Sequence, residues 1–154
     1  MVGARGYFER LRDNGRELEE RKTKVQEMRA QLGSRGARYG TIGSSGNHDA
    51  TAAVDRVIEA EQALAIDQAR HDLELEQACA ILYGRSGRGG LARERGTTDA
   101  DIICCHYLQH MTYAEIADSI SKPDSDSPVS WCRQRASRAL RFIDSVGADV
   151  LADS

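Results

Sequence analysis

The chain is short of aromatic residues: one Trp, five Tyr and two Phe, 5% of its 154 positions. Apolar residues reach only 40% beside 29% charged ones, so the material for a large hydrophobic core is thin and a globular ball of average kind fits poorly. No stretch approaches the ~20 apolar residues of a membrane-spanning helix, and no membrane partner is expected. The opening residues, MVGARGYFERLRDNG, lack the apolar run of a signal peptide, so the chain reads as non-secreted. Four cysteines, two of them adjacent, fit reduced thiols in a cytoplasm better than a disulfide framework.

Catalytic patterns are missing too. Cys104, Cys105, His106, His110 and Cys132 include no Cys-x-x-Cys pair, and adjacent cysteines on a helix diverge by about 100°, which argues against structural zinc. A Cys104–His nucleophilic pair has no evident orienting acid or oxyanion donor. The glycine-rich stretches are not followed by Lys-Ser/Thr and no strand precedes them, so neither is a phosphate-cradling loop. The acids form no paired-carboxylate pattern. The expectation is a non-enzyme with no catalytic residue, metal or cofactor.

Glycine supplies the punctuation. Ten of the fourteen glycines fall in two clusters, Gly33 to Gly46 and Gly84 to Gly96. Ordering glycine costs the most backbone entropy, so such clusters read as loops or linkers. The expected divisions are an N-terminal segment over 1–84, a basic linker over 85–98, and a C-terminal module over 99–154.

In the first segment Leu11, Leu18, Val25 and Leu32 recur every seven residues, a coiled-coil seam, with Phe8 and Met28 in the neighbouring row and Asn14, Arg21 and Lys22 interrupting it. The second segment reads as one helix from an N-cap at Asp49 to about residue 83. Its stripe is Val54, Val57, Ile58, Leu64, Ala65, Leu75, Ala78, Cys79 and Leu82, broken by Glu61, Gln68 and His71. A rod of ~50 Å cannot bury its stripe alone, so the first helix is expected to fold back on it, and a second copy of the chain to complete a bundle. The basic glycine-rich stretch, with Arg85, Arg88, Arg93 and Arg95, reads as a solvated tether able to touch phosphates.

The C-terminal segment parses into three helices: Asp99 to His110, Tyr113 to Ile120, and Pro128 to Val146. Thr112 with Glu115 forms a capping box. Ser127 is the expected N-cap of the last helix, Pro128 its first residue, and Gly147 its stop. Val129, Cys132, Ala136, Ala139, Leu140 and Ile143 should face inward, leaving Ser130, Arg133, Gln134, Ser137 and Arg141 outward with Arg135 and Arg138 flanking. From Val129 to Ile143 there are four arginines and no acid, although the whole chain carries −3. A short capped helix followed by a basic one is what a helix-turn-helix needs, the second helix entering the major groove. Trp131 reads either as a core anchor or as a contact to the sugar-phosphate backbone.

HYLQHMTYAEIADSI followed by SPVSWCRQRASRALRFI resembles sigma factor region four and its helix-turn-helix relatives, with Arg138-Ala139-Leu140 on the family's R-A-L signature and Cys132 where the family has Val. Together with the upstream charged helix and SSGNHDATAAVDRVIEAE, the chain over 40–150 resembles the small phage late-transcription regulators of the RinA/ArpU type. It departs from them at 121–128, where SKPDSDSP is long, acidic and glycine-free, and in the length of the 84–98 segment.

The resulting expectation is an all-α protein: a long antiparallel, coiled-coil-like hairpin plus a three-helix helix-turn-helix module. The resemblance implies an oligomeric, sequence-specific regulator of transcription in a bacterial host's cytoplasm, phage or prophage encoded. Its expected partners are double-stranded DNA, a second copy of itself, and RNA polymerase. The expected DNA-binding residues are Thr112, Tyr113, Ser130, Trp131, Arg133, Gln134, Arg135, Ser137, Arg138 and Arg141. The alternative is the DNA-recognition subunit of a packaging machine, like a phage small terminase.

Overall fold

A computed structural model describes residues 2–36, 46–120 and 127–154. The acidic turn at 121–126, and most of the expected hairpin connection at 33–47, lie outside the described residues. Every described element is helical: α1 (Ala4–Gly36), α2 (Gly46–Tyr83), α3 (Gly90–Arg95), α4 (Thr97–Ile103) running into a π-helical turn (Cys104–Leu108), α5 (Tyr113–Ser119), α6 (Pro128–Val146) and α7 (Ala148–Asp153). The protein is all-α. Because α2 starts at Gly46, Asp49 lies within the helix and is not its N-cap.

The chain forms two compact units, Arg16–His71 and Met1–Gly15 with Asp72–Ser154. The sequence expectation placed its divisions at residues 84 and 98. Both long helices contribute to each unit.

In the Arg16–His71 unit, α1 and α2 run antiparallel: Arg21 Nη1 lies 2.6 Å from Asp67 Oδ2, and eight residues further on Arg29 Nη2 donates to Glu61 Oε2 at 2.8 Å. Leu18 and Val57 are buried, and Val25, Met28, Leu32 and Leu64 are half-buried. The inward row of α2 steps by sevens through Val57, Leu64 and His71, while Val54 and Ile58, expected in the stripe, are 42% and 41% exposed. Two of the polar interruptions are thereby explained, since Arg21 meets Asp67 and Glu61 meets Arg29 across the pair. The Arg29 hydrogen bond holds the Glu61 carboxyl below the usual carboxylate range. A partly exposed pair such as Arg21–Asp67 contributes only about 0–1 kcal/mol, so it sets register more than stability.

The other unit holds a core of Phe8, Leu11, Leu82, Leu91, Ile102, Ile103, Ile116, Leu140, Ile143 and Leu151. Leu91 and Leu151 come from α3 and α7, two short helices that the sequence pattern did not announce. Gly84, Gly89 and Gly90 are packing residues here, each within 3 Å of another backbone at its Cβ position. The Gly90 N–H donates to Ser154 Oγ at 2.8 Å and the Arg85 N–H to the Ala152 carbonyl at 3.1 Å. At Gly89 any Cβ would stand 2.2 Å from the backbone oxygen of Ser154, and Gly90 has φ 65°. Only glycine permits both the close approach and the left-handed backbone.

α6 is oriented by one buried acid. Asp99, in the first turn of α4, is 0% exposed. Its Oδ2 accepts from Arg95 Nε at 2.9 Å, and its Oδ1 lies 2.7 Å from Arg135 Nε in a contact that is an ion pair rather than an aligned hydrogen bond. The Arg95 guanidinium sits 5.4 Å from the Phe142 ring centroid, and that of Arg135 sits 5.4 Å from Trp131. An aromatic–arginine–carboxylate–arginine–aromatic ladder thus ties α3 and α4 to α6, each cation also resting on a ring face.

Removing one partner of a buried ion pair leaves the other uncompensated. Asp99→Asn is expected to lower the unfolding free energy by about 3 kcal/mol, against about 0.5 kcal/mol for the exposed-pair control Asp67→Asn. Urea melts of the two variants check the difference. Gly89→Ala, which forces a Cβ into the Ser154 backbone, is expected to lower the melting temperature while Gly87→Ala, with open space around it but φ 77°, is milder.

Candidate nucleic-acid interface

The site is built from α5 and α6, which pack against each other, with α4 packed on α6. Thr112 caps α5: its Oγ1 accepts from the Glu115 N–H at 3.2 Å and donates to Glu115 Oε1 at 3.1 Å. The N-cap half of the expected capping box is made, but the Glu115 carboxylate accepts from the Thr112 hydroxyl rather than from its backbone N–H. Upstream, the π-helical turn widens the backbone so that the Gln109 N–H reaches the Cys104 carbonyl and the Met111 N–H reaches that of Cys105. This turn places His106 Nδ1 2.9 Å from the Met111 carbonyl and lays the His106 ring against Tyr113, with centroids 4.0 Å apart and planes at 15°. The Arg133 guanidinium then sits 5.5 Å from the Tyr113 centroid. A ring stack rooted in the core therefore supports the first outward arginine of α6.

The inward face of α6 is Cys132, Ala136, Ala139, Leu140 and Ile143, all buried, with Val129 half-buried beside them. On the opposite side Arg133, Gln134, Arg138 and Arg141 are exposed and Ser130 is half-buried. Among the described residues no carboxylate pairs with Arg133, Arg138 or Arg141. Three expected contact residues stand elsewhere. Arg135 is turned away to Asp99, because a buried carboxylate attracts a guanidinium more strongly than solvent does. Trp131 is half-buried and packs on the core beneath Arg135, which is the anchor role of its two readings. Ser137 is half-buried and its hydroxyl accepts from Arg5 Nη2 at 3.0 Å.

Arg5 and Asp99 were missed from sequence. Asp99 had one legible signal, Arg95 four residues upstream, but nothing local marks Arg135 as its second partner. Arg5 stands 132 residues from Ser137, and no pattern in the chain connects them.

Burial raises the thiol pKa values and so disfavours the thiolate form. Burial pushes the Cys104 thiol up to about 11, with Cys79 and Cys105 adding to the rise, and burial also raises Cys132. Tyr83 donates its hydroxyl to Asp101 Oδ1 at 2.6 Å, and burial together with that acid raises its pKa well above the usual tyrosine value. Among the described residues no group of three His, Cys, Asp or Glu side chains converges as a metal site, and no helix is long and apolar enough to cross a membrane. What the α6 surface offers chemically is a set of guanidinium groups with no ion-pair partner among the described residues, with an amide and hydroxyls between them.

Compared with protein-family models, with curated proteins and with solved structures, the chain matches none.

The two arginine environments make opposite predictions. Arg135→Ala is expected to destabilise the fold by about 3 kcal/mol, because Asp99 loses a partner in the core. Arg133→Ala and Arg138→Ala are expected to stay within about 0.5 kcal/mol, as exposed substitutions do. Equilibrium unfolding followed by the single Trp reads both.

Proposed function

We propose that this protein binds double-stranded DNA as a regulator of transcription, with α6 laid into the major groove and α5 bracing it from above. The observation that carries the reading is the uncovered face of α6. It presents Arg133, Arg138 and Arg141 without an acidic partner among the described residues, on a chain whose net charge is −3. A protein of acidic average that gathers unpaired arginines on one helix face is built for local contact with a polyanion. Arg133 and Gln134, near the start of the helix, are placed to reach base edges, where arginine pairs with guanine and glutamine with adenine. Arg138 and Arg141, further along, suit phosphate oxygens.

On this reading the protein acts as an oligomer. Two readers on one assembly turn two weak half-site contacts into one strong one through effective concentration. The resemblance to phage late-transcription regulators extends the proposal to a phage or prophage product that contacts RNA polymerase.

The test is selection of bound duplexes from random DNA, followed by titration of the best site at several salt concentrations. The wild-type protein is expected to enrich a defined sequence. The double variant Arg133→Ala/Arg138→Ala is expected to bind at least tenfold more weakly, to flatten the slope of log K against log salt by about 1 for the lost phosphate contact of Arg138, and to relax sequence preference through the loss of Arg133. Failure of the wild type to enrich any duplex at low salt overturns the proposal. A closed ring of many copies in solution would move the same DNA-binding face to a packaging role.

A further inference from the structure

Resting on that reading, we infer that the DNA-contacting surface is composite: Arg5, in the first turn of α1, is a phosphate-binding residue of the same face as α6, and Ser137 positions it there.

The start of α1 is not a fraying end. Its Ala4 N–H donates to Asp144 Oδ1 at 2.7 Å, Phe8 is 0% exposed, and the Phe8 ring lies 5.8 Å from that of Tyr107. The Tyr7 hydroxyl, whose pKa burial raises, contacts the Glu74 carbonyl at 3.4 Å. Between these anchors the Arg5 side chain reaches Ser137 Oγ at 3.0 Å and remains 53% exposed. Its only ion-pair partner among the described residues is Glu9, at 3.9 Å and itself 55% exposed, a contact too long and too wet to neutralise it.

Ser137 is a telling partner. On a helix its neighbours at i−4 and i+4 are Arg133 and Arg141, so the three form a row about 12 Å long on one side of α6. Docking Arg5 on the middle member adds a further guanidinium to a row that already carries two. A fold gains nothing in isolation from gathering like charges where solvent reaches them. A polyanion laid along the row gives the gathering its purpose, because each phosphate contact releases condensed counterions. Asp144 already occupies the first amide of α1, which leaves the guanidinium, and not the helix end, as the group that meets the anion. A serine hydroxyl accepting from one N–H of the fork fixes its plane and leaves the other donors free for phosphate oxygens.

The experiment uses the full chain and the duplex selected above. Arg5→Gln removes the charge while keeping an amide able to bond Ser137, and Arg5→Lys keeps the charge while losing the fork. If the inference holds, Arg5→Gln weakens binding roughly tenfold and lowers the salt slope by about 1, with an unchanged melting temperature. Arg5→Lys retains the slope, and Glu9→Gln tightens binding. Wild-type affinity and slope in Arg5→Gln, with Arg133→Ala defective, overturn the inference while the DNA-binding reading stands. Absence of binding by the wild type itself overturns both.

Discussion

The carboxylate of Asp99 is the constraint on which the rest of the second unit depends. A charge taken wholly out of water must be compensated within the fold, and here two arginines from different helices do it. Arg95 comes from the end of α3 and Arg135 from the middle of α6, so satisfying one acid fixes the relative placement of three elements. The rings of Phe142 and Trp131, which cover the outer faces of the two cations, extend the ladder along α6. Few aromatic residues are available in this chain. Three of them, Phe142, Trp131 and Tyr113, stand beside arginine guanidinium groups of this unit.

That ladder also sorts the arginines of α6 by role. Helical geometry turns Arg135 towards α4 and leaves Arg133, Arg138 and Arg141 on the other side. One basic helix therefore carries two kinds of arginine, one locked in the core's electrostatics and three facing solvent. Composition could show only that four arginines were present without an acid. The direction of each side chain, and the depth of the acid that claims one of them, came from packing.

The long helices follow a different logic. In the Arg16–His71 unit the apolar seam is thin, and polar residues that weaken it on one helix meet complementary residues on the other, as Arg21 meets Asp67. Register in such a pairing is set by matching interruptions as much as by leucines, a trade of stability for specificity familiar from polar positions in coiled coils. The glycine-rich segment after α2 also has a tight-packing role. Gly89 and Gly90 let the chain pass against the backbone of Ser154, which a tether of the same composition would have no reason to do.

Local information determined the helical class, the seven-residue seam of α1, the N-cap at Thr112, and the start and stop of α6 at Pro128 and Gly147. Each depends on residues within a turn or two of one another, where propensity and periodicity act. α3 and α7 were illegible because they are too short to carry a period and are held by Leu91 and Leu151 in a core made elsewhere. The partner of Asp99 on α6, the withdrawal of Arg135 and Ser137 from the outward set, and the arrival of Arg5 beside Ser137 were decided only in three dimensions. They are contacts between residues far apart in the chain, and no local pattern encodes which distant side chain will satisfy a buried charge or an open hydroxyl.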